Sequence, residues 1–315
     1  MADRQGIEQG AQGALPMSTT ASPGQSDDWA VASRKPRSLT SDALRRMARS
    51  PSGRIGAIGL SILVLIALAA AWIAPYDPLA VDPPSAFQAP NPQHLMGTDQ
   101  YGRDVLSRVL FGTRLSLLIG LVATAVAFSL GVAVGLFSGY VGAVTDLVVM
   151  RIVDIMIAIP SQLMALTIVA AMGPSLRNVM IATGISAVPR FSRLVRSTVL
   201  SAKQNDYVLA ARTVGCTGGR IAIRHILPNA VGPALILAAI YVSWAILLAA
   251  GLSFLGMGAQ PPTPEWGLML SNGRQYLRVA PWLTTFPGLA IMITVVAINL
   301  LGDALRDAFD PRLTT

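Results

Sequence analysis

The run Ile55-Gly-Ala-Ile-Gly-Leu-Ser-Ile-Leu-Val-Leu-Ile-Ala-Leu-Ala-Ala-Ala-Trp-Ile-Ala74 holds 20 residues without a charge, and Pro75 ends it. A helix of that length spans about 30 Å, the thickness of the hydrocarbon core of a bilayer. Similar runs recur at Leu115–Tyr140, Leu147–Met172, Leu176–Val188, Ala230–Leu255 and Thr284–Leu301. The fourth is the weakest and continues past Pro189 as a helix bearing Arg190, Arg193 and Arg196. The chain is 53% hydrophobic and 13% charged, with a mean hydropathy of +0.56. Soluble domains carry about 25% charged residues. The fold class that follows is an all-α polytopic membrane protein with about six transmembrane helices.

The organisation reads as five parts. Residues 1–37 are rich in Gly, Gln, Ser, Ala and Pro without apolar periodicity, and read as a disordered tail. Residues 38–54 form a basic segment, in which Arg45-Arg46 ahead of an apolar run faintly resembles a twin-arginine export signal. That run is too long for a cleaved signal peptide and reads as a signal anchor. The first span, 55–74, is followed by an external loop, 75–114. Charges at Asp104, Arg108 and Arg114 with apolar residues between them predict a short interfacial amphipathic helix there. The remainder, 115–315, is a core of five spans with a long loop at 203–228. Gly256–Leu283 is rich in Pro and Gly, and its Trp266 and Trp282 suit interface positions.

With the amino terminus inside, the internal segments hold 17 Lys/Arg and the external ones 5, so the positive-inside rule places both termini in the cytoplasm. This distribution explains the net charge of +8 without a nucleic-acid partner. The single cysteine, Cys216, excludes an internal disulfide and a cysteine-based metal cluster, and reads as a small packing residue. His94 and His225 fall on opposite sides of the membrane, so they form no shared metal site and read as surface or capping residues.

Within the spans, Gly131, Gly135 and Gly139 lay a small-residue stripe along one helix face, which lets a neighbouring helix approach closely. Arg151 and Asp154 stand three apart on a helix and predict an intramembrane pair near the cytoplasmic end. Asp99, Arg103 and Asp104 read as a solvent-exposed, salt-linked external loop at a gate or against an external binding protein.

The loop Asn205-Asp206-Tyr207-Val-Leu209-Ala210-Ala211-Arg212-Thr-Val-Gly215-Cys216, continuing to Leu227-Pro228-Asn229, predicts two short helices. Asp206 or Asn205 caps the first, Gly215 ends it in a left-handed conformation, and Ile221–Leu227 forms the second. Ala210 and Ala211 leave a flat surface for a partner. A loop of this length and local order exceeds a linker.

Ala210-Ala211, Gly215 four residues after Ala211, and Leu227-Pro228 resemble the cytoplasmic Glu-Ala-Ala loop of bacterial ABC importer permeases; Leu209 stands where many relatives have Glu. Gly97-Thr98-Asp99-x-x-Gly102-Arg103-Asp104, Gly112-Thr-Arg-Leu-Ser-Leu117 and Gly251-Leu-Ser-Phe-Leu-Gly-Met-Gly-Ala-Gln-Pro-Pro262 with Glu265-Trp266-Gly267 are similar to the C-type permease subunit of dipeptide, oligopeptide and nickel importers. Together these matches cover about residues 50–313. The resemblance implies a type I ABC importer permease fold, with Asp206, Tyr207, Ala210, Ala211, Arg212, Gly215, Leu227 and Pro228 in the loop whose coupling helix docks on an ATPase.

It also implies an assembly of two homologous permeases, two ATPase subunits and an extracytoplasmic solute-binding protein in the bacterial inner membrane. ATP and Mg would lie on the ATPases, with no cofactor and no catalytic residue on this chain. Neither Lys35 nor Lys203 follows a glycine, so no phosphate-binding loop is present. A stand-alone secondary transporter or channel would favour midplane ionisable residues and inverted repeats, few of which appear. A membrane-embedded enzyme would need a convergent catalytic cluster, and none is visible.

Overall fold

A computed structural model describes residues 50–309. The tail at 1–37, all but the last five residues of the basic segment, and residues 310–315 lie outside the described residues. The rest forms helices α1 (Pro51–Ile73), α2 (Val105–Val141), α3 (Ala143–Ala158), α4 (Ser161–Met172), α5 (Leu176–Ala202), α6 (Asp206–Thr213), α7 (Gly218–Ile221), α8 (Leu227–Phe254), α9 (Trp266–Gly273) and α10 (Trp282–Phe309).

Four stretches are long and apolar enough to cross a membrane: α1, α2, the run Gly218–Phe254 and α10. The bent pair α3–α4 makes a fifth. The expected fourth span, α5, has the length, at 27 residues, but not the apolar composition. It lies inside the bundle, with Val179, Phe191, Val195 and Val199 fully buried. A helix screened from lipid by its neighbours does not have to be apolar all round.

The largest helix–helix interface joins α2 to α5. A Cβ on Gly131 would stand 2.3 Å from Phe191 Cβ, one on Gly135 2.6 Å from Ser192 O, and one on Gly139 3.0 Å from Val199 Cγ1. From the α5 side, a Cβ on Gly184 would stand 2.7 Å from Ala123 O. The contact pairs advance together along both chains, so the two helices run parallel. The intervening segment must therefore climb back through the bundle. It does so as two helices bent by 95°, where a single straight span was expected over Leu147–Met172. Pro160 has no N–H and pushes Ile159 into extended backbone, which ends α3 at that point.

One further boundary and two side-chain placements differ from expectation. The interfacial helix at 104–114 is not separate: α2 runs unbroken for 37 residues, about 55 Å. Arg108 in its second turn is buried rather than wetted, its guanidinium donating to Pro78 O at 2.8 Å and Pro262 O at 3.3 Å. Trp266 is buried too, its indole N–H donating to Val109 O at 3.0 Å, so it serves as a core bracket rather than an interface anchor.

α1 packs through Gly53, Gly56, Leu63, Ala67 and Ala70, chiefly on α10. Its opposite face, Ile55, Ile58, Ile62, Leu65 and Trp72, is exposed along a helical stripe. In lipid, such a stripe carries no penalty.

Gly135→Leu forces a side chain against the backbone of α5 and should destabilise the bundle by about 3 kcal/mol. Gly251→Ala in α8 meets open space and should be neutral or stabilising by up to about 1 kcal/mol. Thermal unfolding of the two detergent-purified variants compares them directly. Equal stability would refute close α2–α5 packing.

Candidate functional site

The loop at 203–228 closes the end of the bundle where α2 and α5 finish. Lys203 Nζ donates to Gly139 O at 3.2 Å and Tyr140 O at 2.8 Å, satisfying two carbonyls of the last turn of α2. After Asn205 the chain enters α6. Asn205 occupies the N-cap by backbone, and its side chain makes no capping bond. The other end follows expectation. Gly215 has φ +80°, its N–H donates to Arg212 O at 2.9 Å, and Cys216 N–H donates to Ala211 O at 3.0 Å. This pair of bonds is a Schellman closure, with glycine at the left-handed position.

α6 is held by one face. Val208 and Ala211 are buried with Val199, Ala202, Ile221, Ile226 and Ala230, and Phe128, Val132, Leu136, Tyr140 and Cys216 pack around them. Cys216 is half-buried in that layer. Tyr207 Oη accepts from Asn229 Nδ2 at 2.9 Å, tying α6 to the first turn of α8. Asp206, Ala210, Arg212, Gly215 and Pro228 are exposed, and Leu227 is half-buried. The two alanines therefore do not form one flat surface: Ala211 faces inward and Ala210 outward. The outer side carries apolar groups: Leu209 is 64% exposed, Val214 78% and Ile223 65%.

The second loop helix is not independent. α7 passes through a π-helical turn, Ala222–Ile226, straight into α8. Pro228 has no N–H to offer Arg224 O, and just before it the wider turn closes with Leu227 N–H donating to Ala222 O, five residues back. His225 contributes its carbonyl, which accepts from Asn229 Nδ2 at 3.0 Å.

Two ion pairs join α3 to α5 above this loop. Arg196 grips Asp146 with Nε to Oδ1 at 2.6 Å and Nη2 to Oδ2 at 2.5 Å, and Ser138 Oγ donates to the same carboxylate. Arg193 reaches Asp154 at 2.5 Å. The expected Arg151–Asp154 pair is therefore not formed, because Asp154 faces α5 and Arg151 lies exposed. Spacing along one helix gave no view of the arginines on its neighbour.

At the opposite end, Asp99, Arg103 and Asp104 are 5%, 5% and 3% exposed, not the wetted surface expected. Asp99 Oδ2 accepts from Arg103 Nε at 2.6 Å, and Oδ1 accepts from the backbone N–H of Tyr101 at 2.8 Å and of Arg103 at 3.0 Å. Asp104 caps α2, taking Ser107 N–H at 2.7 Å, and its other oxygen meets His94 Nδ1 at 3.0 Å. Nearby, Glu265 caps α9 through Gly267 N–H at 2.9 Å and Leu268 N–H at 2.8 Å. Burial holds that carboxyl above its ordinary pKa, opposed by the same two donors. These groups lock the loops over the end of the bundle, and their buried charges are paired or hydrogen-bonded as burial requires.

Sequence reading missed Asp146, Ser138 and Asn229. Asp146 and Arg196 lie 50 positions apart, and only the parallel packing of α2 and α5 brings their neighbourhoods together. In a double-mutant cycle, Asp146→Ala with Arg196→Ala should show about 1–2 kcal/mol of coupling in thermal unfolding. The exposed Asp154–Arg193 pair should show about 0.5 kcal/mol or less. The reverse order would contradict the bidentate, half-buried geometry.

Residues 131–315 match the family described as "Binding-protein-dependent transport system inner membrane component". Residues 38–90 match the N-terminal TM domain of oligopeptide transport permease C. The chain is 43% identical over 272 residues to the dipeptide transport system permease protein DppC of Alkalihalophilus pseudofirmus, covering 86% of this chain and 90% of the relative. It is 46% identical over 271 residues to the Escherichia coli dipeptide transport system permease protein DppC, covering 84% and 90%. To the glutathione transport system permease protein GsiD of Pectobacterium atrosepticum it is 44% identical over 260 residues, covering 82% and 86%. Among solved structures, the inward-facing MetNI methionine ABC transporter shares the fold with a TM-score of 0.52 at 20% identity, over 65% of this chain and 98% of that one. The chain, a multi-pass membrane protein, belongs to the family of binding-protein-dependent transport system inner membrane components.

Proposed function

We propose that this chain is one of two permease subunits of an ATP-driven importer for di- or oligopeptides. It would sit in a bacterial inner membrane with both termini in the cytoplasm. The observation that carries the reading is the loop at 203–228. Its inner face is bolted to the ends of α2, α5 and α8 by Val208, Ala211, Ile221 and Ile226. Its outer face leaves Leu209, Val214 and Ile223 exposed. An exposed apolar group on an otherwise satisfied loop suits a protein partner, and here the partner is an ATPase subunit. The similar dipeptide permeases support peptides as the solute class.

In this reading hydrolysis takes place on two ATPase subunits that hold ATP and Mg, and an external binding protein delivers the solute. Leu209, in place of the usual Glu, makes the docking contact apolar at that point rather than charge-paired. The buried Asp99–Arg103–Asp104 cluster then fixes the shape of the external rim, and any contact with the binding protein falls to the exposed residues around it. Closure of the ATPases moves the loop. The Asp146–Arg196 and Asp154–Arg193 pairs carry that motion from α5 to α3, so that the solute path opens alternately to the two sides. Differential contacts of the loop in the two states supply the coupling energy.

Mild detergent extraction followed by mass spectrometry tests the assembly. A second permease and two ATPase subunits should co-purify; a homo-oligomer without an ATPase would refute it. Val214→Asp and Leu209→Asp change only exposed positions, so yield and thermal stability should hold while recovery of the ATPase falls about tenfold or more. Full ATPase recovery in both variants would exclude this face as the docking surface.

A further inference from the structure

A cavity of about 370 Å³ opens where α3 breaks into α4, walled by the elbow residues Ile159, Pro160 and Ser161, by Ser186 and Arg190 of α5, and by Trp244 of α8. That volume lies within the range of small-molecule sites. Arg190 stands 14 residues after the start of α5 and 12 before its end, about 20 Å from either end, and its neighbour Phe191 packs on Gly131 within the charge-free run of α2. An ionisable group at that depth is costly unless it is paired or facing a cavity.

Arg190 differs from its neighbours on α5. Arg193 is neutralised by Asp154 and Arg196 by Asp146. Among the described residues no carboxylate pairs with Arg190; its guanidinium lies over the Trp244 ring, 5.6 Å from the centroid. That ring is fixed from behind. Trp244 stacks on Tyr241 at 6.2 Å, Tyr241 meets Phe191 edge-on at 5.7 Å, and Tyr241 Oη donates to Thr183 O at 2.9 Å. The aromatic wall leaves the guanidinium's N–H fork free for a planar anion, the geometry that arginine offers a carboxylate. The broken helix adds to this: α4 begins at Ser161 without a side-chain cap, so its positive end borders the same cavity.

We propose that Arg190 is a specificity-determining residue of the translocation path, holding a carboxylate of the passing solute in the cavity at the α3–α4 elbow. This rests on the peptide-importer reading above and deepens it: for a peptide the group held is the terminal carboxylate. Trp244 orients the guanidinium. The hold must be loose enough to release, which one exposed cation, unpaired among the described residues, provides, since Arg193 at the same cavity is already paired with Asp154.

The test uses the whole assembly with its binding protein in proteoliposomes, with dialanine and dialanine amide as probes. Initial uptake and binding-protein-stimulated ATP hydrolysis are measured for wild type, Arg190→Gln and Arg190→Lys. Any preference of the binding protein is common to all three and cancels when acid-to-amide uptake ratios are compared. Arg190→Gln should lower that ratio about tenfold or more, the loss expected for one charge-assisted contact, with Arg190→Lys in between and stimulated hydrolysis kept within about twofold. An unchanged ratio in Arg190→Gln would overturn the proposal. So would a parallel fall in uptake, hydrolysis and thermal stability, which marks a packing role. Loss of the second permease from the purified variant would assign the cavity to subunit contact instead. Wild-type assembly that moves neither probe would overturn the peptide reading itself, and the carboxylate site with it.

Discussion

The backbone-to-backbone approach of α2 and α5 is the constraint on which the rest of the molecule depends. In lipid no hydrophobic force drives helices together, so association rests on close packing and polar contacts. Gly131, Gly135 and Gly139 on one side and Gly184 on the other leave no room for a side chain. Once these two helices lie parallel in contact, the segment between them has to return through the bundle, and the Ile159–Pro160 break gives that return its bend. The same contact sets the arginines of α5 against α3 and brings the end of α5 beside the end of α2, where Lys203 and the α6 loop can dock.

The two ends of the bundle are built by opposite rules. Asp99, Arg103, Asp104 and Glu265 are each turned inward onto a partner, and the loops become a lid braced by Trp266 on Val109 and Trp282 on Thr98. Around α6, only one face is buried, and apolar groups remain outside. A region that must keep its shape uses up its hydrogen-bonding capacity internally. Under the proposed assembly, the region that docks on another protein leaves part of its surface unsatisfied by its own chain.

Length and composition made most of the spans legible, because apolar runs about 30 Å long as helices leave few alternatives, while α5, short in apolar residues, gave the weakest signal. Left-handed Gly215 and the glycine stripe were legible for a local reason, since each depends on what glycine lacks. What depended on contact between distant segments was not. Arg151 and Asp154 have suitable spacing, yet Asp154 turns to Arg193 across a helix interface. The charges at 99, 103 and 104 look like surface because charge normally is, whereas their partners come from the same tight loop and cannot be inferred from residue type. The straight third span failed at Pro160, a signal that was present but outweighed by the apolar run. Arg190 carries no motif at all, and its isolation shows only after its neighbours are paired.

The junction at Ala222–Ile226 has a mechanical meaning. From Gly218 to Phe254 the chain is helical for 37 residues, a rod about 55 Å long. Tilting such a rod by about 10° displaces its far end by about 10 Å, far more than the side-chain adjustments at its near end. The π-helical turn near its base, with Pro228 beside it and Pro233 one turn on, is where the hydrogen-bond ladder of this rod departs from α geometry. In the proposed importer, a small displacement of the loop at the base would become a large one at the tip, with the helix irregularity beside Pro228 at the point where the push arrives.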